Sequence, residues 1–424
     1  MAKMLSDSGR FSRFLNIQLA FSAASIFFII STALLLSEVF SGPLRYYLSI
    51  FGVAWLVYLP KVACLIFFVI SLFYKRFDRT MWVMFFFIPA SAVIAVLNNA
   101  STINIVASLF FFSPFFFALA ASKYINDDRW KYSVLFILLF ALCAAGLILD
   151  AIIEFPWKGY IYALDKLEIT ANKQWTQFGV DRLAGFSRNS ASLGIMLGVF
   201  SLFLYQPKRI VINFGIFVFS LVLIIFTTYK SAIPAYIVAV AMLYSHRMLV
   251  KKAGFILVSI GIFLPLLSVI YEFSYIQGYT QSYFNSFHDR LANTWPSYLS
   301  QVDNAWTLFF GFGFGAVGTS TIYFPVPGIA TSVADNTALY LFGMFGLFGL
   351  WLYAKQAVLI NTLIRSGLLS NKKPISVMFF LITISLMTDI TESVVALYFL
   401  GLIVSVGRDN GKETYLIHDL NSKL

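Results

Sequence analysis

LNIQLAFSAASIFFIISTALLLSEVF, residues 15–40, is the stretch whose reading decides the class of fold. It follows Lys3, Arg10 and Arg13. It is longer than the 7–15-residue apolar core of a signal peptide and lacks a small-residue cleavage site. Roughly 20 apolar residues cross a bilayer as a helix, so the run predicts a retained first membrane helix.

Runs of this kind recur along the whole chain. Sixty per cent of its 424 residues are hydrophobic and its mean hydropathy is +0.83. Soluble domains carry about 25% charged residues; here the share is 12%. The expected fold is therefore all-α and polytopic. Helices are predicted at roughly 15–39, 48–74, 80–98, 102–122, 131–153, 189–206, 210–228, 231–246, 253–272, 336–355, 374–390 and 392–407, about twelve spans in all. Pro60-Lys61 makes the second either a kinked span or an interfacial piece followed by a span. Cys64 and Cys143 both lie inside apolar runs. Such cysteines pack as small hydrophobes more often than they form a disulfide or bind a metal.

The net charge of +11 would fit nucleic acid or a membrane protein's positive-inside bias, and the position of the charges decides for the latter. Most of the 30 Lys and Arg fall in the segments on the N-terminal side of this topology, which predicts cytoplasmic termini. No nucleic-acid partner is expected. The opposite side carries Arg45, Lys158, Lys166, Lys173, Arg182, Arg188, Lys230 and Arg290, while Lys61 falls inside a span.

Two outward connections are long, 154–188 and 273–335, and both are rich in Trp, Tyr and Phe. Long connections of this kind are functional or disordered, and the aromatic content argues for order. In the second, Tyr283, Phe287, Leu291, Trp295 and Leu299 recur every fourth residue. This is the apolar stripe of a helix, read as an interfacial helix on the membrane surface, interrupted or restarted at Pro296.

Soluble-enzyme motifs are missing. GFGFG, 311–315, imitates part of a dinucleotide loop, but its outward position favours a tight turn re-entering the membrane region. The outward basic set is the stronger signal. Arg presents a planar fork of donors that matches phosphate oxygens, and Lys a point charge. Arg182, Arg188, Lys230 and Arg290 all come from segments ending near the outer surface, and together they would make a cationic pocket at headgroup depth. The competing reading pairs each with a neighbour, Arg182 with Asp181 and Arg290 with Asp289. His288 stands beside Asp289 and Arg290. Of the membrane-facing acids Asp150, Glu154, Asp335, Asp389 and Glu392, only Asp335, next to Asn336 at a helix start, stands out. Asp is a good N-cap, so capping and catalysis are both open to it.

RLAGFSRNSASLG, 182–194, resembles the Arg-x-x-Gly-Phe-x-x-Asn stretch that opens a membrane helix in bacterial O-antigen ligases and polysaccharide repeat-unit polymerases. Arg290-Leu291, Trp295, GFGFG and DNTALYLFGMFGLFG, 335–349, resemble the second half of that pattern. The resemblance implies a membrane-embedded, GT-C-like glycosyltransferase that uses undecaprenyl-diphosphate-linked oligosaccharides in the lipid of the bacterial inner membrane. It implies no metal and no cofactor, and a chain-length regulator protein as a partner. Arg182 and Arg290 match the family's arginines, which clamp the diphosphate leaving group, with Arg188, Lys230, Asn336 and Asp289 as substrate-binding candidates. Asp335 and then His288 are the candidate bases. Ligases of this family resemble one another in a His-Asn pair where this chain has Asp335-Asn336. That departure favours a repeat-unit polymerase over a ligase, with a lipid-linked oligosaccharide flippase as the alternative outside the transferases.

Overall fold

Lipid offers backbone amides no hydrogen-bond partners, so apolar runs satisfy them internally as helices. In a computed structural model the apolar runs do so. The structure describes residues 23–74, 79–120, 124, 129–164, 167–173, 176–177, 180–206, 209–271, 273, 285–329, 333–367 and 371–421. The helices are α1 (Ala23–Val39), α2 (Ser41–Ile50), α3 (Leu59–Tyr74), α4 (Arg79–Leu97), α5 (Thr102–Leu119), α6 (Arg129–Ile152), α7 (Ser190–Leu202), α8 (Ile210–Phe226), α9 (Ala232–Tyr244) and α10 (Arg247–Ile270). After them come the short α11 (Asn285–Asp289), α12 (Trp295–Leu299), α13 (Ala305–Phe310) and α14 (Thr319–Tyr323), then α15 (Thr337–Phe345), α16 (Leu347–Arg365), α17 (Lys372–Ser385) and α18 (Val394–Asn421).

Among the described residues five helices are long and apolar enough to cross a membrane: Ala54–Phe73, Thr102–Leu119, Trp130–Ile152, Arg247–Ile270 and Leu347–Arg365. Several others are apolar but shorter, and α1 and α2 form a pair bent by 85°. Phe73, Val211 and Phe86 stand at 83%, 81% and 70% exposure. Large apolar side chains left outward on this scale mark a surface that meets lipid rather than water. The protein is thus predominantly helical and membrane-embedded.

Three departures from the sequence reading have local causes. The helix predicted over 48–74 is divided at Phe51–Val53, where Gly52 turns at φ +72°; a 3-10 turn, Ala54–Tyr58, then leads into α3. The helix predicted over 336–355 is two helices, because Gly346 at φ +60° ends α15. A Cβ on Gly349 would stand 1.9 Å from the Leu341 carbonyl oxygen, so α16 folds back sharply on α15. At nine residues α15 rises only about 14 Å, well short of a bilayer. The all-α reading also meets two short antiparallel pairs in the 154–188 connection. Strand β1 (Ile161–Leu164) pairs with β2 (Leu167–Thr170) in the register Ile161↔Thr170, and β3 (Thr176–Gln177) with β4 (Val180–Asp181). Strands of two to four residues carry too little alternation to be read from sequence.

The main core forms around α7 and α17. Every residue of α7 from Leu193 to Leu202 is buried, as is every residue of α17 from Ile375 to Ser385. Helices apolar on all sides belong in an interior. Gly198 brings the two together, since a Cβ there would overlap the Phe380 ring. A second core gathers Leu291, Trp295, Tyr298, Phe312, Phe314, Tyr340 and Met344. The apolar stripe of α11–α12 is thus covered by the protein's own GFGFG segment and α15. Its helix passes through a π turn at Arg290–Thr294, and Tyr283 lies outside the described residues. GFGFG is buried in protein, a setting in which irregular backbone is tolerated at membrane depth. The Phe312 and Phe314 amides donate to Gly343 and Ser91 carbonyls at 2.6 and 3.1 Å. These amides are therefore committed to the fold.

Candidate functional site

The RLAGFSRN stretch is held from below by one carboxylate. Asp150, at the end of α6, accepts hydrogen bonds from the Ala184 and Gly185 amides, each at 2.9 Å, and pairs with Lys158 at 2.7 Å. Its side chain is fully buried. Gly185 takes φ +59°, and a Cβ there would meet the Gly146 backbone at 2.9 Å. Phe186 stacks on Phe40 with ring centroids 5.3 Å apart. Asn172 donates to the Ser187 carbonyl at 2.8 Å, and Asn189 caps α7 by accepting from the Ser192 amide at 2.7 Å. Gly, Phe and Asn of the motif are therefore scaffold, and the two arginines are what the scaffold presents.

Arg182 donates through Nε to Thr228 Oγ1 at 3.1 Å and through a terminal nitrogen to the Thr228 carbonyl at 3.5 Å. Thr228 itself is left-handed, at φ +54°; a non-glycine residue held there is strained by about 1–3 kcal/mol, and such residues cluster at functional sites. Burial lowers the Arg182 guanidinium from its usual range, though arginine remains charged. The next residue, Tyr229, is buried, donates to Thr388 Oγ1 at 2.9 Å, and lies within electrostatic reach of both Arg290 and Asp335. Lys230 follows; burial, and then Arg182, lower its ammonium. Thr228 thus holds Arg182, and the adjacent Tyr229 lies within electrostatic reach of Arg290.

Arg290 opens the π turn between α11 and α12; such turns are frequent at functional sites. It donates to the Ser286 hydroxyl at 2.6 Å and carbonyl at 3.0 Å, and pairs with Asp335 at 3.2 Å. Asp335 is the more open partner, its side chain 41% exposed against 18%, and it too is left-handed, at φ +49°. Arg290 pairs with Asp335 rather than its neighbour Asp289, which is exposed and accepts from Asn293 at 2.8 Å; Asp181, beside Arg182, is exposed. The cap of α15 is Asn336, not Asp335. Asn336 accepts from the Leu339 amide at 3.0 Å and donates to the Leu386 and Gly261 carbonyls at 3.0 and 3.3 Å. It is fully buried, and its side chain joins three elements beneath the site. His288 is half-buried in the last turn of α11.

Two acids with no role in the sequence reading stand behind Asp335, in the connection between α17 and α18. Asp389 accepts from the Thr391 amide at 3.0 Å and hydroxyl at 2.7 Å. Glu392 accepts from the Thr319 amide and hydroxyl and from Tyr340 at 3.3 Å. Burial, and then Glu392, push Asp389 well above the ordinary carboxylate range; burial raises Glu392 too, against the Thr319 and Tyr340 hydrogen bonds that lower it. Carboxyls whose acidity burial weakens are candidates for proton transfer. Thr228, Tyr229 and Thr388 had no sequence signal either, beyond lying beside Lys230 and Asp389.

Arg188 is elsewhere. It acts on Lys61 and Tyr162 together with Arg45. Among the described residues no group of three or more His, Cys, Asp or Glu could hold a metal. Compared with known proteins, the chain matches no family model and no curated sequence at a significant level.

Proposed function

We propose that the protein is a polysaccharide repeat-unit polymerase of the bacterial inner membrane. It crosses that membrane about twelve times with both termini cytoplasmic, and transfers a growing glycan from undecaprenyl diphosphate onto the incoming lipid-linked repeat. The observation that carries the reading is that Thr228 accepts from Arg182 while the adjacent Tyr229 lies within electrostatic reach of the Arg290–Asp335 pair, the two arginines coming from separate outward connections. The reaction needs those parts. The acceptor hydroxyl oxygen attacks the anomeric carbon of the donor as the bond from that carbon to the diphosphate oxygen breaks. The electron pair leaves with the diphosphate, where Arg182, Arg290 and Lys230 meet the developing charge with fixed donors. The hydroxyl proton goes to a carboxylate, Asp335 at the open edge or Asp389 behind it.

The test is reconstitution in vesicles with lipid-diphosphate-linked repeats drawn from a host lacking the gene. A ladder of lengthening glycans without another acceptor upholds the polymerase. Product only after lipid A–core is added makes the protein a ligase, and repeats carried across with no new bond make it a flippase.

A further inference from the structure

The site at Thr228–Lys230 leaves a second group of cations unused. The 85° bend between α1 and α2 sets Glu38, in the last turn of α1, and Arg45, in α2, against Lys61 at the start of α3. Lys61 is 3.7 Å from Glu38. Arg45 and Arg188 both lie within its electrostatic reach, and Glu38 is the carboxylate among the groups acting on it most strongly. Of the three cations, only Lys61 pairs with a carboxylate among the described residues. Arg45 is 95% buried by its 5% exposure and Lys61 is 8% exposed. Arg45 spends one terminal nitrogen on the Ser41 carbonyl at 3.0 Å, while its Nε and the Nε of Arg188 are buried with no hydrogen-bond partner among the described residues. The Phe110 and Phe111 rings, 5.5 and 5.8 Å from Lys61 Nζ, offer it their faces and nothing ionic.

An excess of buried positive charge is unfavourable unless an anion meets it, and charges in such settings are functional by default. A cavity of about 470 Å³ adjoins the group, lined among others by Ser49, Trp55, Tyr160 and Tyr162. Tyr162 is the shared wall: it lines the cavity and feels both Arg45 and Arg188. Aromatic rings around an open cavity suit the apolar faces of sugars.

We propose that Arg45, Lys61 and Arg188 form a second anion site, separate from that of Arg182 and Arg290, which takes a phosphate or diphosphate group whose attached moiety occupies the cavity at Trp55, Tyr160 and Tyr162. Its assignment as the subsite of the acceptor repeat rests on the polymerase reading; the anion site itself does not. The two sites then divide the substrates of one reaction. The six-residue offset between Arg182 and Arg188 fixes the distance between the headgroups, because one clamped loop carries both.

Full-length protein in detergent micelles, titrated with a fluorescent farnesyl diphosphate, tests this. The expected result is two equivalents bound per chain. The pair Arg45→Gln and Arg188→Gln should weaken one of them about tenfold or more and leave the other within twofold, and Arg182→Gln with Arg290→Gln should do the reverse. Binding of a single equivalent removed by the Arg182 and Arg290 changes, or two equivalents untouched by the Arg45 and Arg188 changes, overturns the proposal. Hydrogen–deuterium exchange of the unaltered protein needs no variant to fold. Protection by the same probe at residues 41–62 and 186–190 supports the site, and protection confined to 228–230 and 286–294 overturns it. Inorganic pyrophosphate that displaces the probe at equal concentration identifies a free anion as ligand; failure to displace identifies the lipid headgroup. Two-site binding without a glycan ladder would sink the polymerase and leave the second site standing.

Discussion

Arg182 and Arg188 leave the same loop toward different groups, and their surroundings differ in kind. Arg182 meets neutral oxygens on Thr228 and shares its neighbourhood with Arg290, whose carboxylate partner is open to solvent. Arg188, half-buried, lies within electrostatic reach of the buried Lys61, which pairs with Glu38. The first arrangement pairs its charges; the second carries an excess of positive charge beside a cavity. A short motif can serve two sites when a rigid clamp, here Asp150 and the Gly185–Gly146 contact, fixes the angle between its side chains.

The clamp is where the comparison breaks first. Asp150→Ala leaves Lys158 unpaired beneath the loop and removes the acceptor of two amides. Losing one partner of a buried pair costs about 3–5 kcal/mol. A fall in melting temperature together with loss of both farnesyl diphosphate equivalents is the expected result. Melting and binding like the unaltered protein would show that the loop holds itself.

Arg182→Ala or Arg290→Ala should slow chain growth about 10²–10³-fold, the loss seen when one fixed donor to developing charge is removed, while membrane insertion and melting stay close to those of the parent. Glycan ladders of normal length from either variant would end the clamp reading. Gly185→Ala should cost about 1–3 kcal/mol, since the new Cβ meets backbone at a left-handed position. It should weaken both sites together, and weakening of one alone would mean that the arginines are positioned independently.

Asp389 and Glu392 make a prediction in pH. Their folded values lie above the ordinary carboxylate range, so between the two ranges the folded protein binds more protons than the unfolded chain. Their contribution to stability is therefore full below the ordinary carboxylate range and is lost as pH rises through the raised values. Melting temperature should decline with rising pH across that window, and Asp389→Asn should flatten the decline; an unchanged slope would count against the buried pair. The smallest effect belongs to Asp289→Ala. Its exposed carboxylate bonds only Asn293, so stability should move by less than about 0.5 kcal/mol and chain growth should not change.

Much of this was legible in residue order. Arg182, Lys230, Arg290 and Asp335 stood out because outward cations run against the positive-inside bias and Asp335 precedes a helix start. Their common neighbour was not legible, because Thr228 and Tyr229 carry no charge and look like the end of any apolar run. Arg45 and Arg188 looked like further members of one basic set. Only the bend after Val39 turns Arg45 toward Lys61, and nothing local in SEVFSGPLR announces 85°. The two acids at Asp389 and Glu392 read as inexpensive loop-end charges, since burial is supplied by Thr319 and Tyr340 from distant segments.

By itself the sequence determined the membrane class, the helical periodicity and most helix limits, because each is set by hydropathy, charge and capping within about twenty residues. The tertiary structure decided where helices break and return, which polar atom caps α15, and which charges share a pocket. Those outcomes depend on contacts between segments hundreds of residues apart, such as the Asn98 amide group donating to the Phe312 carbonyl at 2.9 Å, and on glycines whose left-handed backbone finds its use only where another chain segment presses against it.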